Sequence, residues 1–213
     1  MKYGGCIRRA HIGAGAGADD LEAPRRRYHV GNLRAELMRH AREILQEAGL
    51  GGLNLRALAA RAGIAPGSVY HHYASKAALL AGLAAEGFGD LQERLEEAAR
   101  EARQGERIRT CARAYFAFAR AQPTIYALMF DPAVMTDGEV RCAMARAFAV
   151  LEELVGVAIT PIRPRTPDEL HKIALAVWAC GHGAASMTLG QQDDYDDLME
   201  DVIQGLDALF RRD

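Results

Sequence analysis

Long apolar runs are missing from this chain of 213 residues. No stretch approaches the ~20 apolar residues that a membrane-spanning helix needs, which argues against an integral helical membrane protein. The basic N-terminus has no apolar run behind it, so no secretion leader is expected and a cytoplasmic location is. Cysteine is scarce: Cys6, Cys111, Cys142 and Cys180 stand far apart, with no CxxC and no Cys/His cluster. That pattern supports no metal site, and free thiols in a reducing compartment are the simplest reading. Cys111 and Cys180 both fall in apolar helical patterns, and a redox-sensing role stays open for them. Sustained period-2 alternation of β-branched residues is also absent, so no sheet is expected. Half the residues are nevertheless hydrophobic and a quarter are charged, which excludes a disordered chain.

The net charge of -2 hides an asymmetry. Residues 1–82 carry 12 Lys and Arg against 6 Asp and Glu, whereas the remainder carries 14 against 22. A basic front and an acidic body suggest that only the front meets a polyanion, although solvated arginines alone can produce such a bias. Residues 1–31 are Gly-rich and aperiodic and read as a flexible arm, with Arg25, Arg26 and Arg27 beside the first helix. Its Gly13-Ala14-Gly15-Ala16-Gly17 run follows no strand and opens no helix, so it is no dinucleotide fingerprint and implies no cofactor.

From Asn32, a suitable N-cap, apolar residues recur at helical spacing through Ala48, and Gly49 is suited to end that helix. Asn54 can cap a short second helix bearing Leu55, Leu58, Ala59 and Ala62. Gly63 allows a tight turn with positive φ, and Pro66 suits the first position of a third helix. Ala59 fits where the two helices cross, and Ile64 and Val69 fill the space between them. Two short helices joined this way form a helix-turn-helix, whose outer face can enter a major groove of ~12 Å width. That face carries Gly67, Ser68, Tyr70, His71 and His72. An ordinary helical corner would use the same pattern. Further helices are expected over 75–103, 106–122, 124–130, 137–159, 168–189 and 194–211, giving an all-α chain.

At these residues the chain resembles the TetR family of bacterial transcriptional regulators. The match runs from Tyr28 to Phe88 and includes Leu53-Asn54-Leu55-Arg56-Ala57-Leu58-Ala59, Gly63-Ile64-Ala65, Ser68-Val69-Tyr70-His71-His72-Tyr73 and Ser75-Lys76-Ala77-Ala78-Leu79-Leu80. The C-terminal part resembles a branch named for a Trp-His-Gly signature, through Tyr115 to Ala119, Pro123 to Phe130, and Trp178 with His182-Gly183. That branch usually has an apolar residue where this chain has Gly181. The resemblance implies a helix-turn-helix head over 32–80 and a helical ligand-binding and dimerisation body over 81–213. It implies a homodimer on a pseudo-palindromic operator, in most members a repressor that answers to a small molecule. It also implies DNA contacts by Arg56, Ser68, Tyr70, His71 and His72, with Lys76 on a phosphate. His72 fits contact or core, Tyr73 reads as core and Arg61 as solvated. The family usually has Ser or Thr where this chain has Ala65, so the third helix lacks a side-chain cap worth about 1 kcal/mol.

In the body Tyr115, Phe118, Tyr126, Phe130, Phe148, Trp178 and His182 are the candidate residues for an apolar or aromatic effector. Aromatic residues at helical spacing are usually core, and His182 fits either a structural or a ligand-facing role. Gly181, Gly183, Ala184, Ala185 and Ser186 give a small-residue face, and Leu198, Val202, Ile203, Leu206, Leu209 and Phe210 give an apolar stripe on the last helix. These two helices are the candidate dimer surface, and the stripe is to be covered by either the monomer core or a twin subunit. A regulator without an effector, an activator, or an all-α enzyme are the alternatives. Asp168, Glu169 and His171 are the residues an enzyme would use, but no nucleophile, base and orienter occur together, so no catalysis is expected.

Overall fold

The computed structural model describes residues 30–103, 105–159, 164–189 and 195–210, and among these there are helices and no strands. The expected arm over 1–31, with Cys6 and Arg25 to Arg27, lies outside them apart from its last two residues. So do Pro161 and the end positions Asp194 and Arg211.

The first helix, α1, spans Val30–Gly52. It starts two residues before Asn32, which therefore lies inside the helix instead of capping it. Gly49 (φ 63°, ψ -170°) breaks its regular geometry near the end. Leu37, Met38, Ala41, Ile44 and Leu45 are buried on one face, at the three- and four-residue spacing that a helix requires.

The next two helices, α2 (Leu55–Ala62) and α3 (Pro66–His72), form the helix-turn-helix through short-range interactions. The Asn54 side chain accepts from the Ala57 N–H at 2.9 Å. Gly63 is left-handed (φ 66°, ψ 32°) and its N–H returns to the carbonyls of Ala59 and Ala60. A side chain at that φ would be strained, which is why a glycine stands there. Ala59 and Val69 are fully buried between the helices, and Ile64 packs partly buried against them.

Ala65 holds the N-cap position of α3 with extended backbone and no side-chain hydrogen bond. Ala65→Ser supplies the missing acceptor for the free N–H groups of the first turn. It should raise stability to urea by about 1 kcal/mol, with slower amide exchange at Gly67 and Ser68. An unchanged midpoint and unchanged exchange would rule out the cap as a weak point.

The connector α4 (Lys76–Glu101) is capped by Ser75, whose hydroxyl accepts from the Ala78 N–H at 3.1 Å. It passes through residues 80 and 81 without a break and packs on α5 (Arg107–Ala121), α6 (Pro123–Met129) and α7 (Gly138–Ile159). A 3-10 turn at Val134–Thr136 precedes α7. Then come α8 (Pro167–Thr188), opened by a Thr166/Glu169 capping box, and α9 (Tyr195–Phe210). One core runs from α1 through the connector into the body, and a smaller one forms around Val155, Ile159 and Ala174.

Gly87 marks the closest approach of connector and body. A Cβ there would lie 2.8 Å from Ile125 Cγ2 and 2.8 Å from Met129 Sδ, so the bare backbone lets α6 sit directly on α4.

Candidate functional site

The outer face of the helix-turn-helix is open. Arg56, Tyr70, His71 and Lys76 are exposed, and Ser68 and His72 are half-buried. Tyr70, at 50 % exposure, is a large aromatic ring held on the surface. Tyr73 points inward at 3 % exposure, with the Arg34 guanidinium 5.7 Å from its ring centre.

No acidic residue occurs between Glu47 and Glu86, so the whole helix-turn-helix and the start of the connector carry only positive or neutral side chains. Arg61 is exposed, as its solvated reading expects, and is also paired. It pairs with Glu47 and with Glu43 at 3.7 Å, so it ties α2 back to α1. The hydrogen bond from Arg61 holds the Glu47 carboxyl below its usual range. Lys76 Nζ donates to the Leu50 carbonyl at 2.7 Å, across the loop between α1 and α2. This places its charge at the edge of the face, close to the N-terminus of α4.

A second site lies inside the body. Tyr115 and Tyr126 share a hydrogen bond at 2.7 Å between their hydroxyls, and Tyr126 shares another at 2.9 Å with His182 Nδ1. Phe130 lies against His182 with ring centres 3.9 Å apart. Trp178 meets Tyr115 edge-on at 5.7 Å and Phe148 at the same distance. The chain thus brings together Tyr115, Tyr126, Phe130, Phe148, Trp178 and His182. Phe118 is fully buried and takes its polar contact from Arg94, 5.7 Å from the ring centre. Beside this cluster is a cavity of about 50 Å³ enclosed by α4, α5, α7, α8 and α9, with walls almost wholly apolar.

Of the candidate residues, Tyr115 and Trp178 line the cavity, and the other walls include Leu95, Ala112, Leu151 and Leu206. These aliphatic residues escape sequence reasoning because nothing distinguishes them from ordinary core. Leu206 in particular lines the cavity and is half-buried in the single chain. Ala184 and Ala185 are also turned into the body, at 7 % and 0 % exposure. The outward side of α8 instead carries Leu175, Ala176, Ala179, Cys180, Gly183 and Met187.

Burial lowers the pKa of His182 from its ordinary 6.5, so the folded protein prefers the neutral ring. That contribution to stability is present above 6.5 and is lost as the pH falls. Tyr126 is fully buried, so Tyr126→Phe strips one shared hydroxyl from both Tyr115 and His182. The expected cost is about 1–3 kcal/mol in urea unfolding, and a loss below 0.5 kcal/mol would show the pair of bonds to be dispensable.

Burial also pushes the Cys111 thiol up to about 11, and the thiol donates to the Leu95 carbonyl at 3.6 Å. Such a thiol is an unreactive core group and no redox sensor. The would-be catalytic residues are likewise engaged in structure. Glu169 accepts from the Thr166 N–H at 2.9 Å, Asp168 pairs with Lys172 at 2.6 Å, and His171 pairs with Glu152 at 3.0 Å.

Head and body meet at Arg42, which sequence reading passed over. From α1 it reaches Asp90 at 2.8 Å and Glu86 at 3.3 Å on the connector, and Gln122 at 3.1 Å where α5 turns into α6. Only its distance from these partners in sequence hid it. Among the described residues no helix is long and apolar enough to cross a membrane.

Two family profiles match the chain. Residues 37–83 match the bacterial regulatory proteins of the tetR family, and residues 108–211 match the tetracyclin repressor-like C-terminal domain. Among solved structures, a protein of unknown function from Rhodococcus sp. RHA1 is 30% identical, with a TM-score of 0.73 over 88% of this chain and 98% of that one. A TetR/AcrR family regulator from Thermobifida fusca is 19% identical, with a TM-score of 0.63 over 85% of this chain and 100% of its own. The regulator FadR from Bacillus subtilis, solved with stearoyl-CoA, is 17% identical, with a TM-score of 0.63 over 81% and 97% of the two chains. No curated protein matches.

Proposed function

From the chain's membership of the TetR family of transcriptional regulators, we propose that it is a cytoplasmic repressor whose hold on operator DNA is released by a small apolar molecule in the body cavity. The head over 32–80 reads DNA, and the body over 81–213 senses the effector and dimerises. The observation that carries the DNA reading is the acid-free, solvent-facing third helix, with Tyr70 and His71 held outward beside Arg56 and Lys76. Phosphate contacts by Lys and Arg supply sequence-independent affinity, and side chains on the third helix supply base readout.

The sensing reading is supported by the apolar cavity and by a continuous path of packed groups leading from it. Tyr115 bonds to Tyr126 on α6, Phe130 at the end of α6 meets Phe88 of the connector, and Arg42 joins connector, α6 junction and head. The cavity holds only a few water-sized groups, so a larger occupant must spread its walls and disturb this path. A tenfold loss of operator affinity requires about 1.4 kcal/mol of coupling, and operator DNA must weaken effector binding by the same factor.

The direct test is a mobility shift with DNA flanking the protein's own gene, repeated at raised salt. Lys76→Ala should weaken binding equally on matched and mismatched sites and reduce the salt slope by about one. His71→Ala should cost about 1–3 kcal/mol of discrimination at one base pair. Identical behaviour of the two variants on both sites would refute this division of roles.

A further inference from the structure

The cavity has a neighbour on the surface, and the two share Phe116 as a wall. The neighbour is a groove of about 300 Å³ between α5 and α9, bordered by Arg113, Arg120 and Glu200 over a floor of Phe116, Met199 and Ile203. Phe116 is buried and stands edge-on to Tyr115, 5.7 Å between ring centres. One aromatic ring therefore stands between a charged surface groove and an apolar cavity.

The charge of α5 runs against its surroundings. It carries Arg107, Arg109, Arg113 and Arg120 and no acidic residue, although residues 83–213 hold 22 Asp and Glu against 14 Lys and Arg. Arg109, Arg113 and Arg120 recur at four- and seven-residue spacing and so share one side of the helix, the side that also bears Phe116. Glu200 answers Arg113 at 3.0 Å, and that ion pair is exposed to solvent. Such a pair yields easily to a competing anion, because little is lost when Glu200 returns to water.

Resting on the reading of the cavity as the effector site, we infer that the effector is a single-chain amphiphile with an anionic head. Its head sits between Arg113 and Arg120, and its chain passes Phe116 into the cavity toward Trp178 and Leu206. A guanidinium matches a carboxylate or phosphate by paired hydrogen bonds, whereas the cavity walls offer an ion no partner. The head therefore stays in the groove while the chain enters the cavity and spreads its walls. The ring of Phe116 turns aside to admit it, and Arg113 exchanges Glu200 for the ligand.

Trp178 lines the cavity and is the single tryptophan, so its fluorescence reports occupancy in the full chain. The probes are decanoate, decyl phosphate and decanol below their micelle or solubility limits, with acetate as the head alone. At least one of the two anions should shift Trp178 emission with an apparent Kd at least tenfold below that of decanol. The comparison of the two anions tells a carboxylate from a phosphate head. Acetate should leave the emission unchanged. In the double variant Arg113→Gln/Arg120→Gln the anions should lose their tenfold advantage while decanol binds as before. Both positions are exposed, and a thermal melt confirms that the variant is folded. If decanol binds the native chain as well as the anions do, or if the anions keep their advantage in the variant, this inference is overturned and the effector cavity stands. If no ten-carbon chain moves Trp178, the inference and the effector reading fall together.

Discussion

Replacing Leu175 and Met187 together by glutamate is expected to give a folded monomer with at least ~100-fold weaker operator binding. Both side chains are on the outward side of α8, at 52 % and 71 % exposure. They lie roughly 18 Å apart along the helix axis, at 1.5 Å per residue. Ala176, Ala179, Cys180 and Gly183 between them are also exposed and small, so another helix can approach closely. An exposed apolar strip of this kind marks an interaction surface, and the expectation is that a second copy of α8 related by a two-fold axis covers it. Two heads on one axis can then enter successive major grooves ~34 Å apart, which makes the operator a pseudo-palindrome. A monomer reads half of that site and forfeits most of the margin of specific over non-specific binding, typically ~10³ or more. Light scattering at micromolar concentration and a mobility shift on the same samples check both halves of the expectation. A native chain that is monomeric, or a double variant that remains dimeric, would place the interface elsewhere.

Phe88→Ala should be the most destabilising single truncation in the connector, by about 3–5 kcal/mol. Phe88 has no exposed surface, and its ring meets Phe130 edge-on with 5.4 Å between centres. Truncation removes the apolar burial and that aromatic contact, and it opens a void where Gly87 has brought α6 against the connector backbone. At roughly 2–4 °C per kcal/mol for a chain of this size, Tm should fall by about 6–20 °C. Phe88→Leu keeps most of the volume and should cost under ~1.5 kcal/mol, which separates volume loss from any general intolerance of change. A measured loss below 1 kcal/mol for the alanine variant would mean that the connector and α6 hold together without this contact.

What could be read in the sequence was whatever neighbouring residues decide among themselves. Asn54, Gly63, Pro66 and Ser75 each act on backbone groups within four residues, so the helix-turn-helix and its caps were legible before any fold was known. The missing cap at Ala65 was legible for the same reason. Asn32 fails the rule because α1 continues on its N-terminal side, and a cap residue has no effect inside a helix. The aromatic and histidine residues of the body were legible as types, since few other residues could build a polar contact within an apolar cavity.

Their partners were not. The hydroxyl of Tyr126 and the ring of His182 are 56 positions apart, and Arg42 and Gln122 are 80 apart. Periodicity cannot say which of several apolar faces turns inward when a helix has neighbours on more than one side. It therefore placed Ala184 and Ala185 on an outward small-residue face, where packing of α8 in the body turns them in, and it left open whether the stripe with Leu206 meets the core or a partner. The sequence by itself determined the helices, the turn that makes a DNA-reading head, and the kinds of side chain available to the body, because those follow from local backbone chemistry. Only the tertiary structure decided where the cavity lies, which side of α8 is left uncovered and how the head is joined to the body, because those depend on helices meeting across long stretches of chain.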